Sequence, residues 1–170
     1  MDTFFEQIVA LRKTGKTIAA VTAIWLFAVI LALLILLYGL AMLPIAFLAV
    51  IGIFYGAYKL SGRFYIEYEY IITNGTMDVD KIIAKSSRKR VLSFELQTVS
   101  RLDKFNPALL NNISPKETVI ACDTDDPDAY LMVSSTEGKG SHYLVFAPDD
   151  RIRGAIVKFV PKYIANSAFK

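Results

Sequence analysis

The sequence predicts an α+β membrane protein: an N-terminal two-helix transmembrane hairpin, then an antiparallel β-barrel closed by a C-terminal amphipathic helix. Three observations carry this. Thr17 to Tyr58 contains no Asp, Glu, Lys, Arg or His, and Gly39 and Pro44 interrupt it near the middle. From Arg63 the apolar pattern switches to a period of two, that of a strand with one face buried. From Pro148 it returns to helical spacing and stops at Pro161.

Composition sets the outer limits. A chain of 170 residues holds one small membrane element and one small domain. Residues 63–170 carry 15 Lys/Arg against 14 Asp/Glu. That lacks the basic excess of a nucleic-acid binder, so nucleic acid is not an expected partner. The lone cysteine, Cys122, rules out an internal disulfide framework and fits a reducing compartment.

A hydrocarbon core about 30 Å thick is spanned by roughly 20 helical residues. The apolar stretch is about twice that, so two helices, about 17–38 and 42–60, make a hairpin over 17–60. Gly39-Leu40-Ala41 has the small-x-small form of a signal-peptide cleavage site. The run before it, about 20 residues, is longer than the roughly 7–15 of such a peptide's apolar region, which favours an uncleaved anchor. Thr22 is the one clearly polar side chain well inside either span, and without ionisable groups at depth the hairpin reads as an anchor, not a transport path. Arg12, Lys13 and Lys16 precede it, and Lys59 and Arg63 follow it. By the positive-inside rule both termini are expected at the cytoplasmic face of the cell membrane. Folding the hairpin at 41–42 sets Gly52 and Gly56 beside Ala28 and Ala32, small residues that let helices approach closely. Homodimerisation through Gly52-xxx-Gly56 is the alternative use of that pair.

Residues 1–16 are expected to form an amphipathic interfacial helix. Thr3 and Glu6 have capping-box spacing, and Phe4, Phe5, Ile8, Val9 and Leu11 cluster on one side. Arg12, Lys13 and Lys16 would then lie at the headgroups. Gly15-Lys16-Thr17 matches the end of a phosphate-binding loop but lacks its upstream Gly and preceding strand.

After Arg63, Phe64, Ile66, Tyr68, Tyr70 and Ile72 alternate with Tyr65, Glu67, Glu69, Ile71 and Thr73 in a long strand. Asn74-Gly75 supplies a type I′ hairpin turn. The return strand, Thr76 to Ala84, points Met77 and Val79 inward and Asp78 and Asp80 outward. Strands at Arg88–Glu95 and Gln97–Leu102 follow. Residues 103–116 then break the pattern with Asn106-Pro107, Asn111-Asn112 and Ser114-Pro115, around a short helix at Ala108–Leu110. Three more strands, Glu117–Cys122, Ala129–Ser135 and Ser141–Ala147, are joined by turns at 123–128 and 137–140. The last helix, Pro148–Val160, opens with Pro, Asp149 and Asp150, which suit a helix N-terminus. Ile152, Ala155, Ile156, Phe159 and Val160 give it an apolar stripe.

Seven antiparallel strands and a closing helix are the element order of a pleckstrin-homology-like (PH-like) barrel, here over 63–161 with a tail at 162–170. The run YIEYEYIITNGTMDVDKIIAKSSRKRVLSFELQTVSRL, Tyr65 to Leu102, resembles bacterial PH-like domains. In those a long strand, a tight Asn-Gly turn, a basic third strand and a Q-x-V segment recur behind membrane helices. The whole chain resembles an uncharacterised family of small Firmicutes membrane proteins, a domain of unknown function. The resemblance implies the fold and no activity. Phosphoinositide-binding PH domains place basic residues around their first hairpin loop. Here Asn74-Gly75 stands there with Asp78 and Asp80 close by, so that mode of recognition is not expected.

Lys81, Lys85, Arg88, Lys89 and Arg90 form the one dense basic cluster, which Arg101 and Lys104 could extend. Lys85, Arg88, Lys89 and Arg90 are the lipid-binding candidates, at about 1 kcal/mol each against an anionic surface. The competing reading is a solvated hairpin tip balanced by Asp78 and Asp80. Asp123, Asp125, Asp126 and Asp128 read as an acidic turn, because a calcium loop starting at Asp123 needs Gly and Glu where Asp128 and Ser134 stand. Cys122 and His142 lack a third catalytic group, and one His with one Cys makes no zinc cluster. No catalytic residue, cofactor or metal is therefore expected. The functional expectation is a non-enzymatic, membrane-anchored scaffold contacting the bilayer, a protein partner or its own copies, and anionic phospholipid. The alternative is a small membrane-associated enzyme or metabolite-binding protein with an unrecognised site.

Overall fold

The computed structural model describes residues 3–39, 43–110, 113, 117–136, 140–167 and 169. The hairpin bend at 41–42, the Leu40-Ala41 part of the cleavage-like pattern, Asn111-Asn112, Ser114-Pro115 and most of the turn at 137–140 lie outside the described residues. The chain forms two compact units.

The helical unit comprises Arg12–Ile66 with Ile83–Lys85. It contains α1 (Gly15–Tyr38) and α2 (Leu43–Gly62), both long and apolar enough to cross a membrane. Thr14 caps α1, its hydroxyl accepting from the Thr17 N–H at 3.3 Å. At the other end the Gly39 N–H closes on the Ile35 carbonyl at 2.8 Å. A Cβ on Gly39 would lie 2.5 Å from that carbonyl oxygen and 3.0 Å from Ala46 Cβ, so only glycine fits. Ala28 and Ala32 of α1 and Ala46 and Ala57 of α2 are buried, and the rings of Trp25 and Phe54 lie 6.2 Å apart. Leu26, Phe27, Leu33, Phe47 and Leu48 are exposed. A large apolar periphery of this kind suits a hydrocarbon surrounding.

The second unit holds Met1–Leu11, Glu67–Ile82 and Ser86–Lys170. Among the described residues its strands form two four-stranded sheets. The first has the order β1 (Phe4–Ala10), β2 (Ile66–Thr73), β3 (Thr76–Ile83), β4 (Ser87–Glu95). The second comprises β5 (Val99–Lys104), β6 (Thr118–Ile120), β7 (Tyr130–Thr136) and β8 (Gly140–Phe146), ordered β5-β7-β8-β6. Two helices follow, α3 (Asp150–Phe159) and α4 (Lys162–Ala165), the second just past Pro161.

Two expectations are corrected. The N-terminal amphipathic helix is instead β1, antiparallel to β2 from Phe4↔Thr73 to Ala10↔Glu67. Phe5, Gln7 and Val9 are half-buried while Phe4, Glu6, Ile8 and Ala10 are exposed, the alternation of a strand. The ladder with β2 satisfies backbone groups that a short helix leaves open at its ends. The closed antiparallel barrel is replaced by two separate ladders. A 3-10 turn at Leu96–Thr98 intervenes between β4 and β5, and β6 runs parallel to β8.

Local chemistry explains the hairpins and the junction between the sheets. Asn74 and Gly75 take φ of 50° and 91°, as a type I′ turn requires, and a Cβ on Gly75 would come 3.1 Å from the Phe159 ring. Tyr70 is fully buried. Its hydroxyl donates to the Ala121 carbonyl at 2.7 Å and accepts from the Ala147 N–H at 3.4 Å, while Phe146 meets its ring edge-on at 5.7 Å. The Gln7 side-chain amide donates to the Ala147 carbonyl at 3.0 Å and accepts from the Asp149 N–H at 2.8 Å, fastening β1 to the start of α3. Asp149 caps that helix through the Ile152 N–H at 2.8 Å.

Candidate functional site

The basic β3–β4 hairpin is the candidate surface, and the structure divides its cations. Arg88 and Arg90 open β4 and reach back across the first sheet. Arg88 sets Nη2 3.0 Å from Glu69 Oε1 and Nη1 3.0 Å from Oε2. Arg90 sets Nε 3.0 Å from Asp80 Oδ1 and Nη1 2.9 Å from Asp78 Oδ2. Two of the four lipid-binding candidates are thus committed to carboxylates of β2 and β3. Lys89 is exposed on β4. Lys85 sits in the turn at φ 54° beside Ala84 at φ 55°, and that turn belongs to the helical unit.

Glu69 was not legible as part of this arrangement. Its side chain is completely buried although it lies on the β2 face opposite Tyr68 and Tyr70. Burial pushes its carboxyl above the ordinary glutamate range, and a hydrogen bond with Glu6 raises it further while Arg88 pulls it down. The register sets Glu6 opposite Ile71, diagonal to Glu69 on the same face. The alternation of Glu67 and Glu69 with Tyr68 and Tyr70 gave their common face, but nothing local gave the burial.

The remaining candidates fall into the fabric of the fold. Cys122 lies in a core cluster with Leu131, Val133 and Val145, and burial pushes its thiol up to about 12, so it is protonated at neutral pH. The acidic turn is self-bonded: Asp126 accepts from the Asp128 N–H at 2.8 Å, and Asp128 pairs with Arg153 at 3.0 Å. Among the described residues no group of three His, Cys, Asp or Glu is placed to hold a metal ion. In the helical unit Ala28 and Ala32 are buried, but a Cβ on Gly52 or Gly56 would meet nothing within 4 Å. Close approach of the helices therefore does not require glycine at either position. Gly56 lines an open apolar groove of about 450 Å³ between α1 and α2.

A family model for a bacterial PH-like domain matches residues 1–166 of the chain. No curated protein and no solved structure matches it.

Proposed function

Since the chain belongs to the bacterial PH-like domain family, we propose that it is a non-enzymatic, membrane-anchored interaction module. In this reading the two-sheet unit engages a protein partner at the cytoplasmic face of the cell membrane, with anionic lipid as a secondary contact. The supporting observation is the pair of adjacent apolar helices with exposed large side chains, in one chain with the PH-like fold. An anchor of that kind raises the effective concentration of any partner held at the same surface, so a weak protein contact suffices. The buried, protonated Cys122 and an acidic turn held by the Asp128 N–H and Arg153 favour binding over catalysis.

The test has two stages. Alkaline carbonate leaves an anchored chain in the membrane pellet and releases a peripheral one. Crosslinking in intact cells, followed by capture of the full chain, then recovers a stoichiometric protein partner. Release by carbonate refutes anchoring. Recovery of a tightly bound small metabolite, without a protein, refutes the scaffold reading.

A further inference from the structure

The charges are segregated between the two units. Of the chain's 19 Lys/Arg and 16 Asp/Glu, the helical unit holds six cations (Arg12, Lys13, Lys16, Lys59, Arg63 and Lys85) and no carboxylate. The other unit keeps the remaining 13 Lys/Arg and all 16 Asp/Glu. Five of the six cations flank the same end of the helix pair, the start of α1 and the end of α2.

Tyr65 joins the sixth to them. Its ring lies under Lys13, with Nζ 4.5 Å from the centroid, and its carbonyl accepts from the Ala84 N–H at 2.9 Å. The turn so held carries Lys85 and is strained, with two non-glycine residues in the left-handed region at about 1–2 kcal/mol each. Gly62 makes room for it: a Cβ there would come within 3.2 Å of Ala84 Cβ. Exposed aromatics, Tyr55, Tyr58 and Phe64, surround the same end, and the ring of Tyr55 lies 5.7 Å from Lys59 Nζ. Cations over amphipathic rings at the end of an apolar helix pair match the chemistry of a phospholipid headgroup layer.

We infer that this collar, with Lys85 delivered to it by the strained β3–β4 turn, is an anionic-phospholipid headgroup seat. Arg88 and Arg90 belong to the sheet's own ion pairs and lie outside it. This rests on the membrane-anchored reading, and it moves the lipid contact from the basic strand to the turn and the helix ends.

The full chain, purified in mild detergent and mixed with equal phosphatidylglycerol and phosphatidylcholine of identical acyl chains, is the test, with retained lipid counted by native mass spectrometry. Wild type should enrich phosphatidylglycerol. Lys85→Gln should lower that enrichment roughly fivefold, the equivalent of about 1 kcal/mol per basic residue at an anionic surface. Lys16→Gln should do likewise, and Lys89→Gln should leave it unchanged. Equal retention of the two lipids by wild type overturns the seat, as does a loss with Lys89→Gln that matches Lys85→Gln. Release of the chain by carbonate overturns the anchored reading and the seat together, whereas a carbonate-resistant chain without lipid preference overturns the seat alone.

Discussion

Arg88→Gln isolates the most deeply buried carboxyl among the described residues, that of Glu69. The substitution removes the guanidinium that lies 3.0 Å from each oxygen of the fully buried Glu69. The carboxyl then either stays ionised without a partner or takes up a proton. Protonation sets the ceiling: from an ordinary glutamate value near 4.3, it costs about 4 kcal/mol at pH 7 and about 1 kcal/mol at pH 5. Arg88 is more than half exposed and Glu69 is already shifted upward, so roughly 2 kcal/mol is expected at neutral pH. The sign follows from linkage. A carboxyl raised in the fold contributes stability that is full below its unfolded value and lost as pH rises through its folded one, so the variant's deficit grows from pH 5 to pH 7. Hydrogen-exchange protection of the β2 and β3 amides, followed in the full chain at both pH values, reads this directly. The double variant Arg88→Gln/Glu69→Gln should recover most of the loss. A deficit below about 0.5 kcal/mol at pH 7, the range of ordinary surface substitutions, or one that does not shrink at pH 5, would refute the buried-pair reasoning.

Three further outcomes are expected of the same fold. Asp149→Ala should cost about 1 kcal/mol through loss of the α3 cap, measured as lost protection at Ile152 and Arg153. Burial alone would push the Asp149 carboxyl up, but the Ile152 N–H and the Arg151 guanidinium outweigh it and hold it below the ordinary value. The cap's contribution is therefore present above the unfolded value and lost as pH falls through the folded one. Gly75→Ala forces a side chain into φ 91° and against Phe159, and should cost about 1–2 kcal/mol of β2–β3 protection. Cys122 should resist iodoacetamide at pH 8 in the native chain and react on denaturation; rapid native labelling would contradict its burial and its thiol's shift to about 12.

Local pattern carried much of the fold. The helix pair, the Asn74-Gly75 hairpin and α3 are each specified by residues within one element, and they stand close to where the period of the sequence puts them. β1 is different, because Phe4, Phe5, Ile8 and Val9 satisfy a helical face and a strand face equally well. The choice is made by β2, more than fifty residues downstream. The expectation of purely antiparallel pairing failed for the same reason: a parallel β6–β8 pairing leaves no mark in either strand's own alternation. At the candidate site the sequence gives charge but not partnership. Four cations within six residues read as one patch until Arg88 and Arg90 are seen to bind acids on strands the chain has already passed.

The place of β1 in the chain has a topological consequence. The ladder joins residues 4–10 to 67–73, so the helix pair is an insertion of 56 residues, 11 to 66, in the middle of a sheet. A strand on one side of a bilayer cannot hydrogen-bond to a strand on the other, so two ladder-paired flanks require an even number of crossings between them. In the membrane-anchored reading the sheet itself locks the topology, independent of flanking charge. It also sets an order of events. Closing a flexible loop of that length would cost roughly 3–4 kcal/mol of chain entropy, but two antiparallel helices already return the chain to the side it left. β1 must wait, unpartnered, until the second helix has been made; association of α1 with α2 then becomes the step that lets β1 complete the first sheet.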